Sequence, residues 1–599
     1  MKPRTSIALA AGCAAGLGVV TLFHAYSAEQ EQCPNTEILG NPLVYFPYPP
    51  GLIPPDLCSE VRRVQREGDV IFKEALAEWR ALLPPPVLNG QPPVLEGAGY
   101  QAVALLGKLE NYDRNMSVGR DVACSFCHMP YVGFTGPIPS IDLGPVAMPG
   151  SMHFRWGKRK PQSYTYSPYF PRLEYNKVLK AFFGGNFWDS RSTGYKLGSP
   201  DAEQAQHPPV DPDEHGFPDT ACIAYRLSHA EYRPLFELVW GEGSLDIKWP
   251  PDTEAICSTP EGAAVFNGSR NTSHPHRTGS SWGTPPSDEI AMPVALKSDD
   301  RAKANNVFDH WGQALNAFEA SANVSAFSSK FDAFLADTYT LTADEQAGYD
   351  LFRGKGNCNS CHLDGRGTAL KSGQTDTSLA PGGAPLFTCF GSANEGLPRN
   401  PVIPFYYETK PDAFLYTPNP AGFGFKDLGV GLFLRSLSGN NPNTDWIQYA
   451  PSVDGQMQVS SARNAAMTPP TCPNFQRAFF HNGYVKSLKE LVHFYNTRDV
   501  FAYPVQSGHC PPGTVERVTC WPEPEVKNNI DMTTGNLGLT DHEEDLIVIF
   551  LGTLTDGFTT PYPDADKYTG NCLPPTALSP PPPPVSAAPF PAGLTPPPL

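Results

Sequence analysis

The sequence predicts a mainly α, loop-rich protein of two similar helical units, with proline-rich extensions. Three observations predict it. The pattern C-x-x-C-H occurs twice, as Cys124-Ser125-Phe126-Cys127-His128 and as Cys358-Asn359-Ser360-Cys361-His362, each time after an apolar run with helical spacing. About 230 residues separate the copies, far more than one small unit needs. Proline (66) and glycine (53) are so abundant in the 599 residues that much of the chain must be loop. In C-x-x-C-H the two thiols add to the vinyl groups of one porphyrin, and the adjacent His supplies a proximal imidazole. Two motifs therefore predict two covalently bound haem c groups in two cytochrome c-like domains. Cys124, Cys127 and His128 would hold one, and Cys358, Cys361 and His362 the other. Zinc knuckles or disulfide cysteines are the alternative, but zinc gives no reason for a His directly after each second Cys.

The formal charge of -17, from 44 basic and 61 acidic residues, argues against nucleic acid and anionic membrane surfaces as partners. It suits a basic partner such as a small cationic cytochrome, and equally a solubilising surface. Four of the 14 cysteines belong to the motifs and Cys13 lies in the leader, which leaves nine, a number that suits an oxidising compartment. Local pairing suggests Cys510 with Cys520, Cys222 with Cys257 and Cys33 with Cys58.

Residues 1–28 read as a secretory leader, with Lys2 and Arg4 before an apolar run and Ala25-Tyr26-Ser27 as the cleavage site. An uncleaved anchor and a lipoprotein box at Cys13 are the alternatives. All three export the chain, to the periplasm or the cell surface. Residues 29–95 read as an added segment around one helix, Leu57 to Leu83. The first cytochrome c-like domain is expected over 96–338, with an insertion at about 241–300 and helical patterns at Val307–Ser321 and Phe327–Ala336. The second is expected over 339–565. Thr342 and Glu345 form a capping box there, opening a helix that carries Tyr349, Leu351 and Phe352 into the second motif. Leu539-Thr540-Asp541 caps a closing helix from Glu543 to Leu554, and residues 566–599 read as a proline-rich spacer.

Further stretches carry a resemblance. They are Phe187-Trp188-Asp189-Ser190-Arg191, the run from Gln204 through Pro208 to Glu214, Ala462-Arg463-Asn464, and Phe480-His481-Asn482-Gly483. With the two motifs and the closing Leu-Thr-Asp helix, the chain resembles the bacterial dihaem cytochrome c peroxidase/MauG family over roughly 100–240 and 305–557. The resemblance implies that peroxide reacts at the first haem and that Gln204, Pro208 and Glu214 form its distal pocket. Splitting the O–O bond needs a base that takes a proton from one oxygen and returns one to the other, a task that suits Glu214. The resemblance also implies that Trp188 relays an electron or hole between the haems. Plain core packing is the alternative for that indole.

Peroxidases of the family place a Met ligand of the second haem fourteen residues after the Phe-His-x-Gly histidine. Here that count, from His481, reaches Tyr495, as in MauG-type enzymes. Met ligation raises an iron's potential, whereas a phenolate should stabilise higher oxidation states. The alternative is a packed Tyr495 with His493, Met467 or Met457 as ligand. His153 is the candidate for a resting ligand of the first iron. Relatives hold calcium next to an Asn before a conserved Pro, but this chain has Lys158-Arg159-Lys160-Pro161, and cationic side chains cannot ligate Ca²⁺, so calcium is doubtful. Cys472, in a lengthened segment, is a candidate partner for Cys389. The expected function is H₂O₂ reduction with oxidising equivalents passed through the second haem. The electron source would be a small cytochrome c or cupredoxin, or a residue on a protein substrate. A dihaem cytochrome that only transfers electrons is the remaining reading.

Overall fold

The computed structural model describes residues 48–49, 51–81, 98–152, 155–259, 293–366, 379–380, 382–412, 416–436, 442–501 and 510–572. The leader, His153, Cys33 and the polyproline run lie outside the described residues. Helix α1 (Leu57–Ala81) buries Leu57, Val61, Val64 and Ile71 at helical spacing. That stripe packs with Tyr112, Phe126 and Tyr131, around the first motif. The segment read as an addition is therefore part of the first core. On its buried face Arg63 pairs with Glu67 at 2.8 Å. The Tyr131 hydroxyl donates to Glu67 (2.7 Å) and Arg63 donates to the Pro137 carbonyl (2.9 Å). An ion pair this well hydrogen-bonded can stay charged away from water.

Two helix pairs repeat one geometry. Helix α2 (Ala98–Tyr112) leads into the first motif and crosses α3 (Ser298–Ala320). Helix α4 (Ala343–Arg353) leads into the second and crosses α6 (Asp541–Gly552); between them in sequence lies α5 (Leu488–Thr497). A Cβ on Gly107 would lie 2.0 Å from the Ala314 carbonyl oxygen and 2.9 Å from the Phe318 Cβ. On Gly348 it would lie 2.0 Å from the Leu546 carbonyl oxygen and 2.9 Å from the Phe550 Cβ. In each pair a glycine lets the backbones touch at residues i and i+4 of the closing helix. Gly348→Ala should therefore destabilise the protein by about 1–3 kcal/mol through overpacking. A urea midpoint equal to that of the unchanged protein would refute this contact.

The capping box at Thr342/Glu345 forms as expected, and Thr540, expected as a cap, also forms one with Glu543. Strands are few among the described residues: Glu174–Asn176 pairs with Ala181–Phe183, and Ser392–Ala393 with Met457–Gln458, both antiparallel. A bridge from Phe183 to Gly391 joins the two ribbons. No described helix is long and apolar enough to cross a membrane.

The structure forms the disulfides Cys222–Cys257 and Cys510–Cys520. Cys472 pairs with Cys572 and not with Cys389. The reason is packing: Cys472 shares a core with Tyr562 and Tyr568, whereas Cys389 neighbours Cys361 at the second motif. The same packing moves the start of the tail, because residues 566–572 belong to the folded body. The expected insertion is anchored at both ends. Cys257 is tied to Cys222, and Arg301 grips Asp219 at 2.7 Å beside Val294.

Candidate active site: two cavities with a shared tryptophan

Cys124–Cys127 is a single helical turn that delivers His128 to the wall of a cavity. Its Nδ1 lies 2.8 Å from the Phe134 carbonyl oxygen. A carbonyl only accepts, so Nδ1 carries the proton and Nε2 keeps its lone pair. The second motif repeats this, with His362 Nδ1 donating to the Phe387 carbonyl at 2.9 Å. Both carbonyls belong to phenylalanines at positive φ, +53° and +52°, although the first follows its histidine by 6 residues and the second by 25. Burial holds both imidazoles neutral, His128 down to about 4. A neutral imidazole oriented through its second nitrogen is what an iron ligand requires. Cys124 and Cys127 line the first cavity, Cys358 and Cys361 line a second, and none of the four is in a disulfide. These residues fit two covalently held haems.

Gln204, Pro208 and Glu214 all line the first cavity. Gln204 ends a helical turn capped by Ser199, and Pro208 opens the next turn. The backbone of Glu214 is pinned from two sides. Ser151 N–H donates to its carbonyl (2.6 Å), and the following His215 donates through Nδ1 to the Met116 carbonyl (2.6 Å). Gly150 makes this approach possible, since a Cβ there would lie 2.6 Å from the Glu214 carbonyl oxygen. Burial, then the nearby Asp211 charge, push the Glu214 carboxyl up to about 8, against the pull of Arg191 and Lys158. A carboxyl poised near neutrality can both take and give a proton.

Trp188 lines both cavities. Its indole N–H donates to the Lys160 carbonyl (3.0 Å), its own carbonyl accepts from Gln458 N–H (2.7 Å), and its ring lies 6.4 Å from that of His481. In the adjacent basic run, Lys160 Nζ donates to the Thr135 hydroxyl, and Arg159 is paired with Asp189 and Asp427.

Tyr495, on α5, lines the second cavity, as do Met457 and His481. Burial, then Glu395, raise its phenol well above the ordinary range. His493 is engaged at both nitrogens, with Glu544 and with the Val518 carbonyl, each at 3.0 Å. Met467 is buried in the core of the first motif. Of the four ligand candidates, Tyr495 and Met457 therefore face the cavity. Glu395 was not anticipated. It lines the second cavity, its carboxyl is pushed by burial up to about 8, and it accepts from Thr534 at 3.1 Å. It sits in a long loop-rich stretch with no periodicity to single it out.

The helix pairs, the two motifs and the cavities before them fit a peroxidase-type dihaem oxidoreductase. The chain is similar to the dihaem cytochrome c peroxidase/MauG family. Residues 101–259 match the family model described as di-haem cytochrome c peroxidase. The chain is 27% identical over 460 residues to the methylamine utilization protein MauG of Paracoccus denitrificans (strain Pd 1222), covering 76% of this chain and 89% of that protein. It is 23% identical over 478 residues to the cytochrome-c peroxidase IdrP1 of Denitromonas iodatirespirans, covering 78% and 86%. Among solved structures, a variant of the diheme peroxidase BthA from Burkholderia thailandensis E264 shares the fold. Its TM-score is 0.52 at 22% identity, with 79% of this chain and 90% of that one covered.

Proposed function

We propose that this protein reduces H₂O₂ at the haem of His128 and passes the oxidising equivalents through Trp188 to the haem of His362 and Tyr495. One observation carries the reading: two cavities of different chemistry share one indole. The first gathers a carboxyl, an amide and a proline, and the second gathers a phenol. Bound haem supplies the iron at which peroxide gives up its oxidising equivalents. Glu214 takes a proton from one peroxide oxygen and returns it to the other. Gln204 orients the peroxide by hydrogen bonding, and Pro208 walls the pocket and keeps competing water donors away.

In this reading residues 96–338 and 339–565 form the two haem domains, and the exported chain works in the periplasm. Electrons come from a small cytochrome c or cupredoxin. Tyr495 favours a second reading in which a residue on a protein substrate is oxidised, because a phenolate ligand disfavours the reduced second haem that a donor cytochrome would have to generate. Calcium stays doubtful in this reading, since a guanidinium already joins the acidic groups beside Trp188.

EPR and optical spectra of the holoprotein before and after H₂O₂ test the proposal. One high-spin and one low-spin haem are expected, and both signals should change together on addition of peroxide. Two low-spin haems unresponsive to peroxide, in both the oxidised and half-reduced protein, would reduce the protein to an electron carrier. Trp188→Phe should leave the response of the first haem intact and delay that of the second. Simultaneous change in that variant would remove Trp188 from the route.

A further inference from the structure

The stretch around Trp188 carries a buried ionic chain that peroxide chemistry leaves unused. Arg159 lines the first cavity and Asp427 the second. The Arg159 fork holds Asp427 through Nε at 2.6 Å and Nη2 at 2.7 Å, and its remaining arm, Nη1, holds Asp189 at 2.7 Å. Asp189 follows Trp188 directly, is fully buried, and also accepts from Arg191 Nη1 at 3.1 Å. Asp427 is fixed in turn by Gly429 N–H at 3.1 Å. On the other side of Arg159, Lys160 joins the same assembly through its backbone. Its N–H donates to the His481 carbonyl (2.7 Å), and its carbonyl accepts the Trp188 indole N–H. One guanidinium thus ties the indole, the wall of the first cavity and the wall of the second.

We propose that Arg159 is the positioning residue of the inter-haem bridge: its three-armed grip on Asp189 and Asp427 fixes Trp188 between the two cavities and so sets the electronic coupling across the indole. The proposal rests on the reading that Trp188 couples the two haems. Coupling through a bridging ring falls steeply with each added gap, so a site of this kind needs its supporting groups held to a fraction of an ångström. A planar fork with fixed donor directions gives that precision, whereas a lysine ammonium satisfies the charge without fixing the angle. The charges close the argument. Asp189 and Asp427 are buried carboxylates held ionised, the first by Arg191 and Arg159 and the second by Arg159. Loss of the guanidinium would leave Asp427 without its paired cation, and the Asp427 wall would have to move or take up water. Lys158, Arg191 and His207 beside Asp189, and His481, Tyr406 and Glu525 beside Asp427, also face the chain, and none of them bridges the two aspartates in this way.

The test is the rate of electron equilibration between the haems after one-electron photoreduction of the holoprotein, in Arg159→Lys and in Asp427→Asn. Each variant is expected to equilibrate at least tenfold more slowly than the unchanged protein, with two haems bound and each haem's own spectrum retained. Trp188→Phe sets the interrupted limit. Asp427→Asn removes one leg of the grip and leaves the Arg159–Asp189 pair, so it decides the question alone if Arg159→Lys loads less haem. Equilibration at the unchanged rate in Asp427→Asn, or in both variants, overturns the proposal. Because no peroxide is used, a wild-type protein silent to H₂O₂ would refute the proposed function and leave this measurement readable.

Discussion

Glu214→Gln is expected to slow peroxide cleavage by about a hundred- to ten-thousandfold, the span that a positioned acid–base group contributes. The substitution keeps the shape of the side chain and the pinned backbone of Ser151, Glu214 and His215. Haem attachment and the spectrum of the second haem should therefore be unchanged. The pH dependence gives an independent check. Burial and Asp211 raise this carboxyl to about 8, so below that pH the proton-accepting form is the minor one. Cleavage should rise with pH, level off above about 8, and lose this dependence in Glu214→Gln. Stopped-flow mixing with H₂O₂ across pH 5 to 10 measures both effects. An unchanged rate in the variant would assign the proton transfer to another group lining the cavity, with Asp213, itself pushed up to about 8, the next to test.

Tyr495→Met is the second large effect. The change should convert the second haem to a Met-ligated centre and raise its potential, within the roughly 0.8 V range that axial ligands cover. A small donor cytochrome should then reduce that haem readily. Oxidation of a protein-bound residue should weaken, since the ligand no longer stabilises the oxidised centre. Tyr495→Phe should remove the low-spin Tyr-ligated EPR signal without loss of covalent haem, because Cys358, Cys361 and His362 are untouched. If the signal survives in Tyr495→Phe, Met457 is the ligand to examine, as it faces the same cavity.

Local signals were legible in the chain because they depend on near neighbours. The capping boxes at Thr342 and Thr540, the haem motifs, and the run from Gln204 to Glu214 each fall within a few turns of backbone, and the structure brings the last onto one cavity wall. Features set by residues hundreds of positions apart were not legible. The stripe on α1 announced a helix but not what it would bury. Gly107 and Gly348 carry no local sign of their role, because each matters only once its closing helix is in place. Arg159 could be read as a cation unable to bind calcium, but nothing near it in sequence pointed to Asp427, 268 residues away. The expected partner of Cys472 was Cys389, and the structure pairs it with Cys572. The packing of Tyr568 against Tyr131 and Phe475 decided between them.

That last contact bears on how the protein is made. The core around the first motif contains Tyr562, Ala565 and Tyr568, and Glu67 on α1 accepts from Thr569 N–H at 2.6 Å. Phe126, inside the first haem motif, thus shares its core with residues more than 430 positions downstream. That core therefore cannot close around Cys124 and Cys127 until residues 562–569 are in place, and the Cys472–Cys572 disulfide ties the closing segment to the same core.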